Sequence, residues 1–375
     1  MHILILNWRD PQNPLSGGAE IVTMEHAKRW VLAGNTVTWF TSKYKGGLKN
    51  DIVDGVHVIR HGSSISVFFY AFLFYIFLGK QFDVIIDEVH GIPFFTRLYV
   101  KKPIIVFIHE IADDIWDFMY SFPINKIGKL LENLYFRLYR NCLFWTDAQS
   151  TIEELQKRDI PRSQSVAIAC PIYLENSMSK PKKIPKELSP TYIFVSRVVR
   201  MKGIEEVIKA FSFIAREQKN ARLWIVGDGD KKYVQRLQNM LHEYGITRET
   251  MFWGKVTDKK KYYLMARAHI LLHGSVKEGW GLVVLEAAYV CTPSVVYNVL
   301  GLRDVVQHDK TGVVVSSNSP QEMAREAMKL VGNTKKYHEF QKNGKQWVEN
   351  ITWEDVSKQS IALLHKALST SITIV

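Results

Sequence analysis

The sequence has few cysteines, and their positions exclude the sites that cysteines commonly build. Cys142, Cys170 and Cys291 are far apart and match neither a metal-binding nor a redox spacing. We expect them to be buried thiols in a reducing compartment. The N-terminal residues have no basic segment ahead of their apolar run, so we expect no signal peptide.

The sequence also lacks an apolar run long enough to cross a membrane as a helix. Val67–Leu78 is apolar over twelve residues, seven of them aromatic, but a spanning helix takes about 20 residues. Two interpretations of this run stay open. It is either a core helix or a helix with one face against a membrane or a lipid-linked acceptor.

The charge balance is basic, yet the features of nucleic-acid-binding proteins are missing. The formal net charge is +12, from 49 basic and 37 acidic residues. Nucleic acid, an anionic membrane surface or a phosphorylated ligand could each account for this excess. Because the sequence has no Arg/Lys-rich block, zinc-finger spacing or aromatic RNA-binding signature, we expect no nucleic-acid partner.

Several catalytic signatures are missing as well. The sequence has no Walker A motif and no G-x-G-x-x-G after its first strand pattern. No Ser/His/Asp or Cys/His pairing is supported either. The segment Asp228-Gly229-Asp230 imitates the D-x-D that binds a metal in some sugar transferases. A turn at a strand end explains it sufficiently, so we predict no metal there.

Short apolar runs alternate with helical patterns along the whole chain, which is typical of α/β domains. The polar, basic, proline-containing stretch Glu175–Pro190 interrupts the alternation and indicates a linker. We therefore predict two α/β domains, residues 1–178 and 179–352, with a ligand cleft between them. A closing helix within 353–375 is predicted to pack back toward the first domain.

The most informative stretch joins a strand pattern, 268–275, to a helical pattern, 282–290, through a glycine-rich turn. Helix N-termini present unpaired backbone N–H groups and bind anions. Glu278 lies in the turn and Glu286 about one turn inside the helix. Carboxylates are better suited to accept hydrogen bonds from hydroxyls than to bind phosphate. The stretch therefore predicts a site for a sugar joined to a phosphate.

A second strand-to-helix junction carries permanent positive charge. Arg197 and Lys202 follow the strand pattern 192–196, and Gly203 opens the next helix. Arginine binds phosphate with a planar fork, whereas lysine acts as a point charge. The alternative is a solvated basic loop.

The first domain offers weaker candidates. Gly17 and Gly18 open the first helical pattern; they form either a flexible loop or a close backbone approach to a ligand. His109 follows the strand pattern 103–108, and Glu88 and His90 follow the preceding strand. Ligand residues of open α/β sheets lie just beyond the carboxyl ends of strands, although a strand-end histidine taken alone is more often structural.

Taken in order, these motifs resemble those of the family 4 glycosyltransferases, which are retaining nucleotide-sugar transferases. The resemblance is carried by Ser-Gly-Gly-Ala-Glu at 16–20, by R-x-x-x-x-K at 197–202, and by two glutamates at 278 and 286 with Gly-Trp-Gly-Leu between them. It implies a GT-B fold of two facing Rossmann-like domains. It also implies sugar transfer from a nucleoside diphosphate sugar to an acceptor hydroxyl, with retained configuration, in polysaccharide or glycolipid biosynthesis.

The resemblance implies how the donor phosphates are held. Arg197 and Lys202 would neutralise the pyrophosphate as it leaves. Backbone amides would help to hold the phosphates at these positions: Gly17, Gly18, Gly281, Leu282 and Val283. With two cations in place, the resemblance implies no metal, and no cofactor beyond the donor substrate.

It also implies how the sugars are bound. Glu278, with the backbone at Gly279 and Trp280, would bind hydroxyls of the transferred sugar. Glu286 would bind the ribose of the nucleotide. His109 would lie against the sugar near its anomeric carbon.

Two other functional classes stay open at this point. One is a nucleotide-sugar epimerase or hydrolase with the GT-B fold, and the other is a non-catalytic binding protein of a carbohydrate-assembly complex. For a transferase, we expect a cytoplasmic protein that acts on a carbohydrate or lipid-linked acceptor. The aromatic run and the basic charge further suggest a peripheral position on the inner face of the cytoplasmic membrane.

Overall fold

The computed structural model describes residues 1–173 and 184–371, the last two by their backbone only. Tertiary contacts divide the chain into two compact units, Met1–Tyr173 with Trp353–Val375, and Leu174–Thr352. The predicted boundary between residues 178 and 179 lies outside the described residues, as does the first part of the predicted linker. The helix that closes the chain belongs by its contacts to the first unit.

Strands in the described residues follow the predicted αβ alternation. In the first unit they are β1 (His2–Leu6), β2 (Thr36–Thr41), β3 (Asn50–Val53), β4 (Val56–Arg60), β5 (Val84–Val89), β6 (Ile104–Ile108), β7 (Leu143–Thr146) and β8 (Ser165–Ala167). In the second unit they are β9 (Thr191–Val195), β10 (Arg222–Val226), β11 (Thr250–Gly254), β12 (Ile270–His273), β13 (Ser294–Val296) and β14 (Gly312–Val314).

Helices connect these strands. Those before the second unit are α1 (Gly18–Leu32), α2 (Val67–Leu78), α3 (Ile115–Met119), α4 (Ile124–Leu138) and α5 (Gln149–Gln156). Those of the second unit are α6 (Ile204–Glu217), α7 (Lys231–Glu243), α8 (Asp258–Arg267), α9 (Leu282–Tyr289), α10 (Leu302–Val305), α11 (Pro320–Gly332) and α12 (Thr334–Asn350). The closing helix is α13 (Trp353–Ser371).

The sheet of the first unit has the strand order β3-β4-β2-β1-β5-β6-β7-β8. Each described pair is parallel except β3 with β4. Strands β2, β3 and β4 lie on one side of β1, and β5 to β8 lie on its other side. The direction in which strands are added therefore reverses at β1. Open α/β sheets bind ligands outside the carboxyl ends of the strands at such a reversal. In this unit the reversal lies between the loops that follow β1 and β5.

Helices cover both faces of this sheet. On one face, α2 and α4 pack into a single core cluster with apolar side chains of β1, β5 and β6. On the other face, α1 packs against α13. There the buried Trp30 Nε1 donates to Ser360 Oγ at 2.9 Å, and His26 packs edge-on against Trp145.

The second sheet has the order β11-β10-β9-β12-β13-β14, and its described pairs are all parallel. Its strands are short apolar runs, as expected for a parallel sheet buried on both faces. The strand order reverses between β9 and β12. Both motifs that the sequence singled out in this unit, at 197–203 and 278–286, follow these two strands.

The structure differs from the sequence interpretation mainly in polar helices. Helix α7 was not predicted, although Asp230 caps it by accepting hydrogen bonds from the backbone N–H groups of Lys232 and Tyr233 at 3.0 and 3.1 Å. Helix α12 begins with a similar cap, in which the Asn333 side chain accepts a hydrogen bond from the backbone N–H of Lys336. Apolar residues nevertheless recur at helical spacing in α7, at 233, 234, 237, 240 and 241, so its periodicity and its cap together would have predicted it.

The aromatic-rich run forms helix α2 over the predicted residues. Val67, Ala71 and Tyr75 are buried in the core, whereas Phe69 and Phe77 are 60% and 78% exposed. One side of the helix is therefore core and the other side lies at the surface. Within the described residues, the helices are all too short or too polar to traverse a bilayer.

A buried ion pair anchors the long loop between β1 and α1. Arg60, at the end of β4, is fully buried, and its guanidinium donates to both carboxylate oxygens of Asp10 at 2.8 and 2.9 Å. It also donates to Gln12 Oε1 at 2.8 Å. Bidentate geometry of this kind compensates the cost of removing both charges from water. The loop that carries the first glycine motif is thus tied to the interior of the sheet.

We expect Asp10→Ala to lower the free energy of unfolding by about 3 to 5 kcal/mol, because it removes the bidentate partner of the buried Arg60 charge and leaves only the longer ion pair with Asp51 at 3.3 Å. Urea denaturation followed by circular dichroism measures the change. The control is Lys157→Ala, which removes a solvent-exposed ion pair with Glu154 and should cost less than about 1 kcal/mol. A loss for Asp10→Ala no larger than that of the control would contradict the assignment.

Candidate active site

The two loops at the reversal of the second sheet are joined by their backbones. The N–H of Val276 donates to Met201 O at 2.9 Å, and Ser275 Oγ donates to the same oxygen at 3.1 Å. Gly203 has φ = +72°, and a Cβ atom there would lie 1.8 Å from the carbonyl oxygen of Gly274. Only glycine permits this approach, so the loops that follow β9 and β12 meet at a fixed position.

This contact brings Lys202 and Glu278 together. Lys202 Nζ lies 2.7 Å from Glu278 Oε1, and His273 Nε2 lies 2.9 Å from the same oxygen. The side chains of Lys202 and Glu278 are each 13% exposed. Among the described residues, His273 Nδ1 is buried without a hydrogen-bond partner. We therefore assign a proton to Nε2, which donates to the carboxylate.

The charge state of Glu278 follows from these contacts. Burial alone would raise the pKa of its carboxyl group, but the Lys202 ammonium and the hydrogen bond from His273 outweigh burial. The net result is a pKa well below the ordinary value. Glu278 therefore stays ionised throughout the physiological range and can accept hydrogen bonds.

Helix α9 begins directly after this cluster. Its N-cap is Gly281 with φ = +87°, followed by Leu282 and Val283 in the first turn. The first N–H groups of a helix have no intrahelical partner and lie at the positive end of the helix dipole. The start of α9 can therefore bind an anion next to the Glu278 cluster. Trp280, between the two, is buried.

Glu286 lies one turn further along α9 in a different environment. Its Oε1 is 2.8 Å from Lys261 Nζ, and the side chain is 17% exposed. Burial raises the pKa of Glu286 above the ordinary value even though Lys261 opposes the shift. Arg197, the remaining candidate of this unit, lies in the loop after β9 with an exposed side chain.

The segment Asp228-Gly229-Asp230 has local structural roles. Asp230 caps α7, as described above, and Asp228 Oδ1 accepts the N–H of Gly229 at 2.8 Å. A Cβ atom on Gly229 would lie 2.1 Å from Val198 O, so the turn packs tightly against the loop after β9. These contacts account for the Asp-Gly-Asp pattern as a turn and a helix cap.

In the first unit, a side chain of helix α1 already binds part of the glycine motif. The Gly17 N–H donates to Glu20 Oε2 at 2.6 Å, and Arg9 Nε donates to Glu20 Oε1 at 2.8 Å. The backbone N–H of Gly17 is thus engaged within the protein. Gly18 is the first residue of α1 and is exposed, so its N–H lies at the open helix start.

His109 is held between two carboxylates. Its Nδ1 lies 2.6 Å from Asp147 Oδ2, and its Nε2 lies 3.2 Å from Glu88 Oε1. Burial would lower the pKa of His109, but Asp147 and Glu88 outweigh burial and raise it to about 10. His109 is therefore an imidazolium at neutral pH. With both ring nitrogens engaged, it is suited to carry positive charge and not to act as a general base.

A second histidine, His90, lies next to His109 and Glu88 and forms a cluster with them. His90 Nε2 lies 3.1 Å from Glu88 Oε1 and 4.0 Å from Glu20 Oε1. His90 therefore lies between Glu20, which binds the Gly17 N–H, and Glu88, which contacts His109. Glu88, His90 and His109 each offer a metal-ligand atom, and these three atoms lie within 4.8 Å of one another. Hydrogen bonds from both histidines to one carboxylate oxygen already account for the arrangement.

The structure thus groups the predicted residues in two sets. Lys202, Glu278 and the start of α9 are adjacent in the second unit. In the first unit, Glu88, His90 and His109 are adjacent, and Glu20, which binds the Gly17 N–H, lies 4.0 Å from His90. Sequence reasoning missed His273, Asp147 and Lys261. His273 ends β12, and Asp147 directly follows β7, so the strand-end rule that selected His109 would have found both. Lys261 lies on α8, a helix that the apolar pattern did not reveal.

Comparison with protein families agrees with this geometry. The family described as Glycosyltransferase Family 4 matches residues 16–176. The family described as Glycosyl transferases group 1 matches residues 177–347. The two matches adjoin, and the second contains the motifs at 197–202 and 278–286.

Curated relatives match over part of the chain. An uncharacterized glycosyltransferase of Methanocaldococcus jannaschii is 30% identical over 170 residues, which is 45% of this chain and 43% of that protein. The GDP-mannose-dependent alpha-(1-6)-phosphatidylinositol monomannoside mannosyltransferase of Mycobacterium tuberculosis is 30% identical over 166 residues, 42% of this chain and 43% of that protein. The matched region spans less than half the length of either relative.

Solved structures match over nearly the whole chain at low identity, and they establish the fold. Sucrose-phosphate synthase from Thermosynechococcus elongatus superimposes with a TM-score of 0.80 at 17% identity, over 98% of this chain and 99% of that one. Anabaena HepE in complex with UDP and glucose superimposes with a TM-score of 0.72 at 16% identity, over 98% and 100%. With two parallel α/β units, both family matches and these relatives, the chain belongs to the GT-B glycosyltransferases of the group 1, family 4 type.

Proposed function

We propose that the protein is a retaining glycosyltransferase that moves a hexose from a nucleoside diphosphate sugar to an acceptor hydroxyl. The observation that carries the proposal is the cluster of Lys202, His273 and Glu278 beside the start of α9. It combines a cation, an ionised carboxylate and a helix N-terminus within one loop region. A sugar diphosphate offers an anion and hydroxyl groups, which these three features complement.

In this proposal the diphosphate binds to Arg197, Lys202 and the amides at Gly281, Leu282 and Val283. Negative charge develops on the leaving phosphate, so preorganised cations and N–H donors there should contribute most to catalysis. Two cations supply the charge compensation that a divalent metal provides in other enzymes. We therefore propose a mechanism without a metal cofactor.

The transferred sugar would bind to Glu278 and to the backbone at Gly279 and Trp280. Lys202 and His273 both contact Oε1 of Glu278, so we assign Oε2 to the sugar hydroxyls. His273 would keep the carboxylate in place when Lys202 turns toward the phosphate. For the first unit we propose that the Gly18 N–H contributes to phosphate binding and that the His109 imidazolium lies against the sugar near its anomeric carbon. The predicted role of the Gly17 amide does not fit this structure, because Glu20 already accepts its N–H.

The nucleotide ribose would bind to Glu286. Support for a nucleotide-sugar donor comes from relatives whose names state one, such as the GDP-mannose-dependent mannosyltransferase and HepE in complex with UDP-glucose. These names concern those proteins. The shared feature proposed for this chain is the donor class, a nucleoside diphosphate sugar.

Retention would follow from attack on the same face from which the phosphate departs. The bond between the anomeric carbon and the phosphate oxygen breaks as the acceptor oxygen bonds to that carbon. The departing phosphate oxygen then accepts the acceptor's proton, so no protein nucleophile is needed. We propose a carbohydrate or lipid-linked acceptor in polysaccharide or glycolipid biosynthesis, at the inner face of the cytoplasmic membrane.

We expect Lys202→Ala to lower kcat/KM about 10²-fold, equivalent to ~2–3 kcal/mol of transition-state stabilisation. The charge on the leaving phosphate would lose one of its two proposed cations. Sugar-transfer kinetics measure the loss. The control is Lys209→Ala on α6, whose side chain is 39% exposed and pairs with Glu206; its activity should match the wild type. Activity of Lys202→Ala within a factor of about three of the wild type would refute the proposed role.

Glu286→Gln should weaken donor binding at least about tenfold, because a charge-assisted hydrogen bond to the ribose becomes a neutral one. The donor is first selected by a thermal-shift screen of UDP, GDP, ADP and dTDP sugars, and affinity is then measured by calorimetry. Glu326→Gln is a matched control, since Glu326 is also 17% exposed and ion-paired. Equal donor affinity of Glu286→Gln and the wild type would count against the ribose assignment.

His273→Leu should lower kcat about tenfold through loss of the hydrogen bond that holds Glu278. His273→Gln retains an amide donor and should recover most of the activity. If His273 acts through Glu278, the double variant His273→Leu/Glu278→Gln should be no slower than Glu278→Gln alone. Additive losses in steady-state kinetics would show that His273 has a separate role.

A further inference from the structure

Helix α4 carries an apolar face that points away from the core of the first unit. Its buried residues are Gly128, Glu132, Tyr135 and Phe136. Five large aliphatic residues elsewhere on the helix are between 43% and 69% exposed: Ile124, Ile127, Leu130, Leu131 and Leu134. At 3.6 residues per turn these five fall within a stripe roughly 120° wide. Helix α4 therefore has two apolar sides. One side packs on the core of the first unit, and the other is exposed to solvent.

The segment before α4 extends this face. Met119 is 60% exposed and Phe122 is 80% exposed. Helix α3 is held close to α4, because a Cβ atom on Gly128 would lie 2.3 Å from the ring of Trp116. The exposed residues around 118–122 therefore lie near the start of α4, next to its aliphatic stripe.

Helix α2 adds to the same side of the unit. Side chains of α2 and α4 belong to one core cluster, so the two helices cover the same face of the sheet. Phe69, Ile76 and Phe77 of α2 are 60%, 53% and 78% exposed. Exposed apolar residues are common singly, but a large group of them on one face marks an interaction surface.

The charged groups at the edge of the α4 stripe are basic. Lys126, Arg137 and Arg140 are exposed on α4 or just after it. The acidic residue of α4, Glu132, is buried. Its carboxylate accepts hydrogen bonds from the backbone N–H groups of Ala112 and Asp113 at 2.8 and 2.7 Å. It therefore contributes little negative charge at the surface.

Acidic groups at the neighbouring helix α3 share Lys129 of α4, which compensates them only in part. Lys129 Nζ lies 2.6 Å from a carboxylate oxygen of Asp117 and 3.2 Å from one of Asp114. The exposed charged side chains of α4 that flank the stripe itself, Lys126 and Arg137, are nevertheless both basic. Aliphatic and aromatic side chains with a basic edge are complementary to an anionic lipid surface.

We propose that α4, with the segment 118–122 before it, is a docking surface for an anionic lipid bilayer. The aliphatic stripe enters the boundary between headgroups and acyl chains, and Lys126 and Arg137 contact lipid phosphates. This inference rests on the proposed position at the inner face of the cytoplasmic membrane and names the surface that would bind there. It uses none of the residues of the proposed transfer chemistry. It also places the surface on a different helix from the aromatic run that the sequence singled out. Bilayer binding needs no donor, so it can fail independently of the proposed function.

The test is co-sedimentation of the full chain with vesicles of phosphatidylcholine, with and without phosphatidylglycerol. Wild-type protein should partition to the anionic vesicles, and added salt should release it. The double variant Leu130→Gln/Leu134→Gln should lower the partition coefficient at least about tenfold. Lys126→Gln/Arg137→Gln should lower binding to the anionic vesicles and reduce its salt dependence.

The matched control is Leu32→Gln, since Leu32 is 79% exposed on α1, which covers the opposite face of the sheet. It should bind vesicles as the wild type does. The proposal is overturned if the wild type stays in the supernatant, or if Leu130→Gln/Leu134→Gln binds as tightly as the wild type. It is also overturned if light scattering shows a dimer that this double variant dissociates, since the face would then be a protein interface. Circular dichroism of each variant checks folding.

Discussion

The backbone contact between the loops after β9 and β12 is the constraint on which the candidate site depends. Gly203 adopts a left-handed conformation directly against the carbonyl of Gly274, and Met201 O accepts two hydrogen bonds from the facing loop. Because the loops are joined at this point, Lys202 reaches Glu278, which is 76 positions later in the chain. The parallel sheet supplies the setting, since its strand order reverses between these two strands.

The two glutamates of the motif show how environment separates residues of one type. Glu278 has a cation and a histidine donor on one oxygen, and its pKa is held well below the ordinary value despite burial. At Glu286 burial prevails over the Lys261 ammonium and raises the pKa. His109 shows the opposite case, in which two carboxylates outweigh burial and keep an imidazole protonated. Each result depends on the number and charge of the partners within hydrogen-bond distance.

The apolar surface that a helix exposes depends on how the helix packs, and not only on its composition. Helix α2 is the most aromatic segment of the chain, yet its Val67, Ala71 and Tyr75 are core residues. Helix α4 is less apolar in composition, but its aliphatic stripe faces solvent because Tyr135 and Phe136 occupy its inward side. The amount of apolar surface available to a partner is therefore set by which side of a helix packs on the sheet.

The sequence by itself determined the αβ alternation, the strand-to-helix junctions and the motifs that lie on them. Apolar periodicity, glycine positions and strand-end polar residues are local features, and local physics suffices to interpret them. It predicted α2 over its full length, and Lys202 and Glu278 as site residues. Only the tertiary structure decided that His273 and Lys202 share one oxygen of Glu278, that Asp147 holds His109, that Gly17 is engaged by Glu20, and that α4 exposes its stripe. These are contacts between residues distant along the chain. They depend on strand order and on how closely two backbones can approach, and neither is encoded in a short window of sequence.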